Sequence, residues 1–263
     1  QREVLEAALR KAGAAVEAKN TFLSNMSHDI RTPLNAVVGY TALARKNLDD
    51  PEKLRGYLDQ VEDAADRLQH LIEDVLELSR MDAGQSPHGE VACDLSEVLQ
   101  AVRDSVAELA GEKSIQLSLD CQGLQHRKVY ADRHKLEQAL IRLMSNAVKY
   151  TPAGGHVRLS AVQSGKPTRD YALYTFSVED DGIGMEPSFL ERVFDPFERQ
   201  RSTTLSGVPG MGLGLTIARS MVELMGGPLT AESTVNKGSC FTIALSLRVQ
   251  APAAAEGDTV TSP

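Results

Sequence analysis

Residues 54–75 read Leu-Arg-Gly-Tyr-Leu-Asp-Gln-Val-Glu-Asp-Ala-Ala-Asp-Arg-Leu-Gln-His-Leu-Ile-Glu-Asp-Val. Apolar side chains recur in steps of four and three, at Leu54, Leu58, Val61, Ala65, Leu68, Ile72 and Val75. That is the seam of a helix packed along its length against others. Upstream, Leu23, Met26, Ile30, Leu34 and Val37 form a similar stripe. Between the two lies Asn47-Leu48-Asp49-Asp50-Pro51, where Asp50 can cap a new helix and Pro51 suits its first turn. The spacing predicts an antiparallel α-helical hairpin over residues 1–82. One hairpin covers two stripes of this length poorly, so a homodimer closing a four-helix bundle is expected.

Beyond Met81 the period changes. Residues 83–91, with Ala83-Gly-Gln-Ser-Pro-His-Gly89 at their heart, have the composition of a linker. Residues 92–249 then mix helices and strands without regular alternation. An amphipathic helix is predicted from Asp94 to Ala110, ending near Gly111. Ile115, Leu117 and Leu119 alternate as in a strand, and Asp132 can cap a helix that stops at Thr151-Pro152. Strand-like runs follow at 156–162 and 171–179, then a helix at 213–225 that Gly226-Gly227 ends, and strands near 228–233 and 239–247. The expected fold is an α/β sandwich in which an open, mixed sheet carries helices on one face. Residues 250–263 have little to bury and are expected to be disordered.

Composition narrows the function. Hydrophobic residues at 42% and charged residues at 24% exclude a wholly disordered chain. A net charge of −8 argues against binding the phosphate backbone of nucleic acid. Cys93, Cys121 and Cys240 form neither a metal-ligand spacing nor a disulfide framework, so a reduced, cytoplasmic setting is expected. No membrane segment is visible, although this could be the cytoplasmic part of a membrane-anchored sensor.

Two clusters carry chemistry. In Phe22-Leu-Ser-Asn-Met-Ser-His-Asp-Ile-Arg-Thr-Pro33, His28 sits ~200° around the helix from both Met26 and Ile30. It therefore points away from the buried stripe. Asp29 adjoins it, Thr32 lies one turn on, and Pro33 disturbs the local ladder. A neutral imidazole in water, beside a carboxylate, is a usable nucleophile. The second cluster is a pair of glycine runs. Asp180-Asp-Gly-Ile-Gly-Met185 follows a strand, and Gly210-Met-Gly-Leu-Gly-Leu215 opens a helix. Between them lies a long polar loop that starts with Phe194-Asp-Pro-Phe197. Glycines let a ligand approach the backbone, and helix N-termini attract phosphate. Neither run has the Gly-Lys-Ser/Thr of a Walker loop. Upstream, Asn146, Lys149 and Tyr150 share one face of a helix, and an amide oxygen can ligate Mg²⁺ beside phosphates.

Taken in order, these motifs make residues 20–247 resemble the catalytic core of the sensor histidine kinases of two-component systems. Ser27-His-Asp-Ile-Arg-Thr-Pro33 matches the histidine box and Asn146 the asparagine box; two glycine boxes flank a phenylalanine box. The resemblance implies ATP-dependent autophosphorylation of His28. Transfer to an aspartate of a response-regulator receiver domain would follow, with phosphatase activity in reverse. By position, Asp29 polarises the His28 ring and Thr32 orients water. Asn146 ligates Mg²⁺, Lys149 and Tyr150 contact the nucleotide, and Asp180 takes the adenine. Gly182 and Gly184 shape the turn beneath the base, and Gly210, Gly212 and Gly214 let a lid close over the phosphates. Arg199 and Arg201 in the lid are candidate charge partners. One position departs from the pattern: the family commonly has a second asparagine four residues before the metal ligand, where this chain has Arg142. Arginine neither ligates a cation nor acts as a base. A nucleotide-binding scaffold with weak or no kinase activity is therefore the alternative, and a gyrase-like or chaperone-like ATPase, which leaves His28 unexplained, ranks last.

Overall fold

Asp50 opens the second long helix as its position suggests. Its side chain accepts the Lys53 N–H at 3.2 Å, its carbonyl accepts the Leu54 N–H at 2.9 Å, and the Lys53 ammonium lies 2.8 Å from its carboxylate. Pro51, at the first helical position, has no N–H to leave unpaired. The computed structural model describes residues 24, 26–82, 89–165, 168, 170–196, 198 and 212–250. Leu23, most of the expected linker and the 251–263 tail lie outside them. Two compact units emerge, residues 1–85 with 194–216 and residues 86–193 with 217–263.

In the first unit, α1 (residues 26–46) and α2 (Pro51–Asp82) form the hairpin. Tyr40 and Tyr57 stack across it with ring centroids 6.3 Å apart. The seam differs in detail from the expected one. On α2 the sheltered row is Leu54, Tyr57, Val61, Ala64, Leu68, Leu71 and Val75, with Leu71 only 1% exposed. Leu58 (53%) and Ile72 (47%) lie in the open, and Ala65 beside them is exposed too. Both rows step by four and three, so the helix carries two adjacent apolar rows. On α1, Met26, Ile30 and Val37 are partly sheltered, whereas Leu34 and Val38 are exposed.

The second unit is built on a seven-stranded sheet. Its strands are β1 (Val91–Asp94), β2 (Gln116–Gly123), β3 (Lys128–Ala131), β4 (His156–Ser164), β5 (Tyr171–Asp180), β6 (Leu229–Thr234) and β7 (Gly238–Val249). They run in the order β1-β3-β7-β5-β4-β2, with β6 also paired to β7. Only β2 and β4 are parallel, so the sheet is mixed. Period-two alternation sends Leu159, Tyr174, Phe176, Val178, Phe241 and Ile243 inward, all at most 1% exposed. Also buried are Val98 and Leu99 of α3 (Leu95–Ser105), Leu136, Leu140 and Leu143 of α5 (Arg133–Tyr150), and Ile217 and Met221 of α7 (Gly214–Leu224). The other sheet face is mixed, with Ser160, Thr175, Ser177 and Thr242 beside the exposed Val162, Tyr171 and Leu173.

Asp94 and Asp132 cap α3 and α5, accepting the N–H groups of Ser96 and Lys135. The single helix expected over 94–110 is in fact two. Val106 leaves helical geometry and α4 (Ala107–Glu112) follows, so the segment passes Gly111 and reverses only at Ser114, whose φ is 54°. The Val106 N–H bonds to the Arg103 carbonyl, a tighter turn that lets the apolar Val106 side chain be buried. The short strands β1 and β3 and the single-turn α6 (Pro187–Leu190) were not anticipated from the sequence.

Candidate functional site

His28 lies on α1 with its side chain 78% exposed. Its Nδ1 is 3.1 Å from Asp29 Oδ1, and the Thr32 hydroxyl donates to the His28 carbonyl at 3.2 Å. With Nδ1–H donating to the carboxylate, Nε2 carries the lone pair into solvent. The helix is regular on both sides of Pro33. Thus His28, Asp29 and Thr32 do come together on one exposed face.

In the second unit, Asp180 is the last residue of β5 and points to the helix side of the sheet, in line with Val178 and Phe176. Its Oδ1 accepts the N–H groups of Gly182 at 2.9 Å and Ser239 at 3.2 Å. Burial outweighs the pull of those two amides and pushes its pKa up to about 6. Asp181 behaves differently. It accepts the His156 N–H at 2.7 Å and pairs with His156 Nδ1 at 3.0 Å, contacts that hold its carboxyl below the usual range. Of two adjacent acids, one fastens β4 and the other remains available to a ligand.

The Asp180 loop is tight. A Cβ on Gly182 would stand 2.7 Å from both Asp180 Oδ1 and the Tyr150 carbonyl, and Gly184 has a φ of +64° with the Thr234 carbonyl against it. Both positions therefore demand glycine. The Ile183 carbonyl accepts the Asn236 N–H at 2.7 Å, and the Met185 N–H donates to Ser233 Oγ at 2.9 Å. The Ile183 N–H reaches the Tyr150 carbonyl at 3.3 Å. This bond joins the loop to the end of α5, where half-buried Asn146, Lys149 and Tyr150 share a face. The Lys149 ammonium lies 5.1 Å from the Tyr150 ring centroid, a cation–π contact. Arg142 is half-buried one turn before Asn146.

Asn146 offers one amide oxygen, and among the described residues no group of three His, Cys, Asp or Glu could hold a metal by itself. That donor set suits Mg²⁺ arriving with phosphates and waters rather than a resident metal. Of the second glycine run, Gly212 has a φ of +71° and Gly214 opens α7. Gly210, Arg199 and Arg201 lie outside the described residues.

One side chain that braces this region escaped the sequence reading. The Lys113 ammonium donates to the carbonyls of Val148 (2.8 Å), Lys149 (2.8 Å) and Thr151 (2.7 Å), closing the C-terminus of α5. It lies 35 residues away from the first of these in sequence, and no local pattern signals such a contact.

Comparison with known proteins agrees with this geometry. Residues 18–84 match the family model of the His Kinase A (phospho-acceptor) domain, and residues 131–249 that of the histidine kinase-, DNA gyrase B- and HSP90-like ATPases. The circadian input-output histidine kinase CikA of Synechococcus elongatus is 37% identical over 239 residues, covering 90% of this chain and 31% of CikA. The autoinducer 2 sensor kinase/phosphatase LuxQ of Vibrio vulnificus is 31% identical over 262 residues, or 97% of this chain and 29% of LuxQ. The chain thus spans about a third of the length of these relatives. The crystal structure of full-length ShkA in complex with AMPPNP superimposes with a TM-score of 0.65 at 28% identity, covering 88% of this chain and 46% of ShkA. No helix among the described residues is long and apolar enough to cross a membrane. With a phospho-acceptor hairpin followed by an α/β ATPase unit, the chain belongs to the sensor histidine kinase family of two-component signalling.

Proposed function

We propose that this chain binds ATP with Mg²⁺ in its α/β unit, phosphorylates His28, and passes the phosphoryl group to an aspartate of a response-regulator receiver domain. The observation that carries the reading is the exposed His28 whose Nδ1 is engaged by Asp29. Nε2 attacks the γ-phosphorus, the bond from phosphorus to the ADP oxygen breaks, and Asp29 offsets the positive charge growing on the ring. Asp180 accepts the exocyclic amine of adenine, Lys149 and Tyr150 face the nucleotide, and Asn146 supplies an oxygen to Mg²⁺. The metal offsets phosphate charge; the protein's own work is positioning. The analogue named with ShkA supports the nucleotide assignment.

The exposed row of Leu58, Ile72 and Leu76 on α2 supports homodimerisation. That Thr32 lies one turn from His28 supports a role in orienting water if phosphorylated regulator is hydrolysed, and LuxQ is named as both kinase and phosphatase. Arg142 favours a second reading, a scaffold that binds ATP without transferring phosphate. Incubation with γ-labelled ATP and Mg²⁺ separates the two. Acid-labile label on the wild type and none on His28→Gln is the expected result. Equal labelling of both proteins refutes the phosphoacceptor assignment, and ATP binding without any labelling favours the scaffold.

A further inference from the structure

The last turn of α5 is held by a complete set of acceptor contacts. The Ala147 carbonyl takes the Thr151 N–H at 3.0 Å and its hydroxyl at 2.8 Å. The carbonyls of Val148, Lys149 and Thr151 all take the Lys113 ammonium, and that of Tyr150 takes the Ile183 N–H. Helix C-termini normally leave such carbonyls to water or to a glycine-based reversal. Here a cation from the α4–β2 connection does the work, and all three of its donors are used. The Lys113 carbonyl also accepts the Gly154 N–H at 3.0 Å, so one residue grips the α5–β4 turn from both its backbone and its side chain. Thr151 beyond the helix is 1% exposed.

This turn holds Lys149 and Tyr150 and directly follows Asn146. We propose that Lys113 is a positioning residue for Mg²⁺·ATP, fixing the end of α5 so that Asn146 and Lys149 meet the metal and phosphates in register with Asp180. The inference rests on the ATP-binding reading and goes beyond it. Two physical effects combine. The cap stops the last turn from fraying, and its positive charge offsets the negative end of the helix dipole near a polyanionic ligand. Asp180 is held directly by the Gly182 and Ser239 amides and its loop touches the capped turn through the Ile183–Tyr150 bond, so it leans on the cap less than Asn146 and Lys149, which stand on the capped helix itself. Removing the ammonium should therefore weaken phosphate-end recognition more than base recognition.

The test compares wild type with Lys113→Met and Lys113→Arg in the full chain, titrating Mg²⁺·ATP and, separately, adenosine by calorimetry. Lys113→Met is expected to weaken Mg²⁺·ATP binding about tenfold, the size of a lost charged cap, while adenosine affinity changes less than about twofold. Lys113→Arg, which returns charge and donors, is expected to recover most of the loss. An unchanged Mg²⁺·ATP affinity in folded Lys113→Met overturns the proposal, as does an equal loss for both ligands. If Lys113→Met fails to fold, Lys113→Gln takes its place; if that too is unfolded, Lys113 serves stability alone and the proposal falls. Wild type that binds adenosine and Mg²⁺·ATP equally weakly refutes the kinase reading itself.

Discussion

The two units bury their apolar residues in opposite ways. In the α/β unit, Tyr174, Phe176, Phe241, Leu136 and Leu143 are sealed between sheet and helices. In the hairpin, only Ala44, Ala64 and Leu71 are buried among the apolar residues described, while Leu34, Val38, Leu58, Ile72 and Leu76 face outward. A unit that closes its own core is suited to holding a ligand in fixed geometry. A unit with an apolar row left over is suited to association, and His28 stands exposed on its surface. On the proposed reading, the contrast separates the phosphoryl donor site from its acceptor.

The sharpest way to break that contrast is Phe176→Ala in the full chain. Loss of a fully buried aromatic should cost about 3–5 kcal/mol and abolish ATP binding, while the oligomeric state persists. Chemical denaturation followed by tryptophan-free probes such as circular dichroism, with sedimentation alongside, checks both halves. Dissociation caused by this change would mean that the units are not independent. Next in size is Leu58→Glu with Ile72→Glu. Each side chain contributes roughly 1.5–3 kcal/mol when buried, so the pair should weaken a dimer at least about 100-fold in sedimentation while ATP affinity holds.

The effect of pH on Asp180 is smaller. Because burial raises its pKa to about 6, the ionised form that accepts an amine is lost below that pH. ATP affinity should then fall about tenfold per pH unit, with Asp180→Asn weak and flat over the same range. The sign for stability is opposite: an acid with a raised folded-state pKa favours the fold more as pH drops through 6. Least of all, Asp50→Ala should lower the hairpin's thermal stability slightly through its lost cap and leave nucleotide binding untouched, as thermal melts with and without nucleotide would register.

Motif chemistry made much of this molecule readable from sequence. Asp50, Asp94 and Asp132 sit at helix starts, and Asp180 and Gly182 meet in one loop because short-range chemistry dictates both. What escaped detection is non-local. The strands β1 and β3 have four residues each, too few to display a period. Leu58 and Ile72 looked like seam positions, but Tyr57 and Leu71 are spaced just as well, and only the partner helix decides between adjacent rows. Val106 broke a helix whose propensity gave no reason to stop there. Lys113 reached its acceptors through the fold alone.

Asp180 carries a consequence for nucleotide choice. With Oδ1 already taken by two amides and no donor to Oδ2 among the described residues, the free oxygen asks for a hydrogen. A purine bearing an amino group at C6 provides one; a purine bearing an oxo group there would set lone pair against lone pair. If Asp180 holds the base as proposed, a single carboxylate oxygen would sort ATP from GTP and ITP.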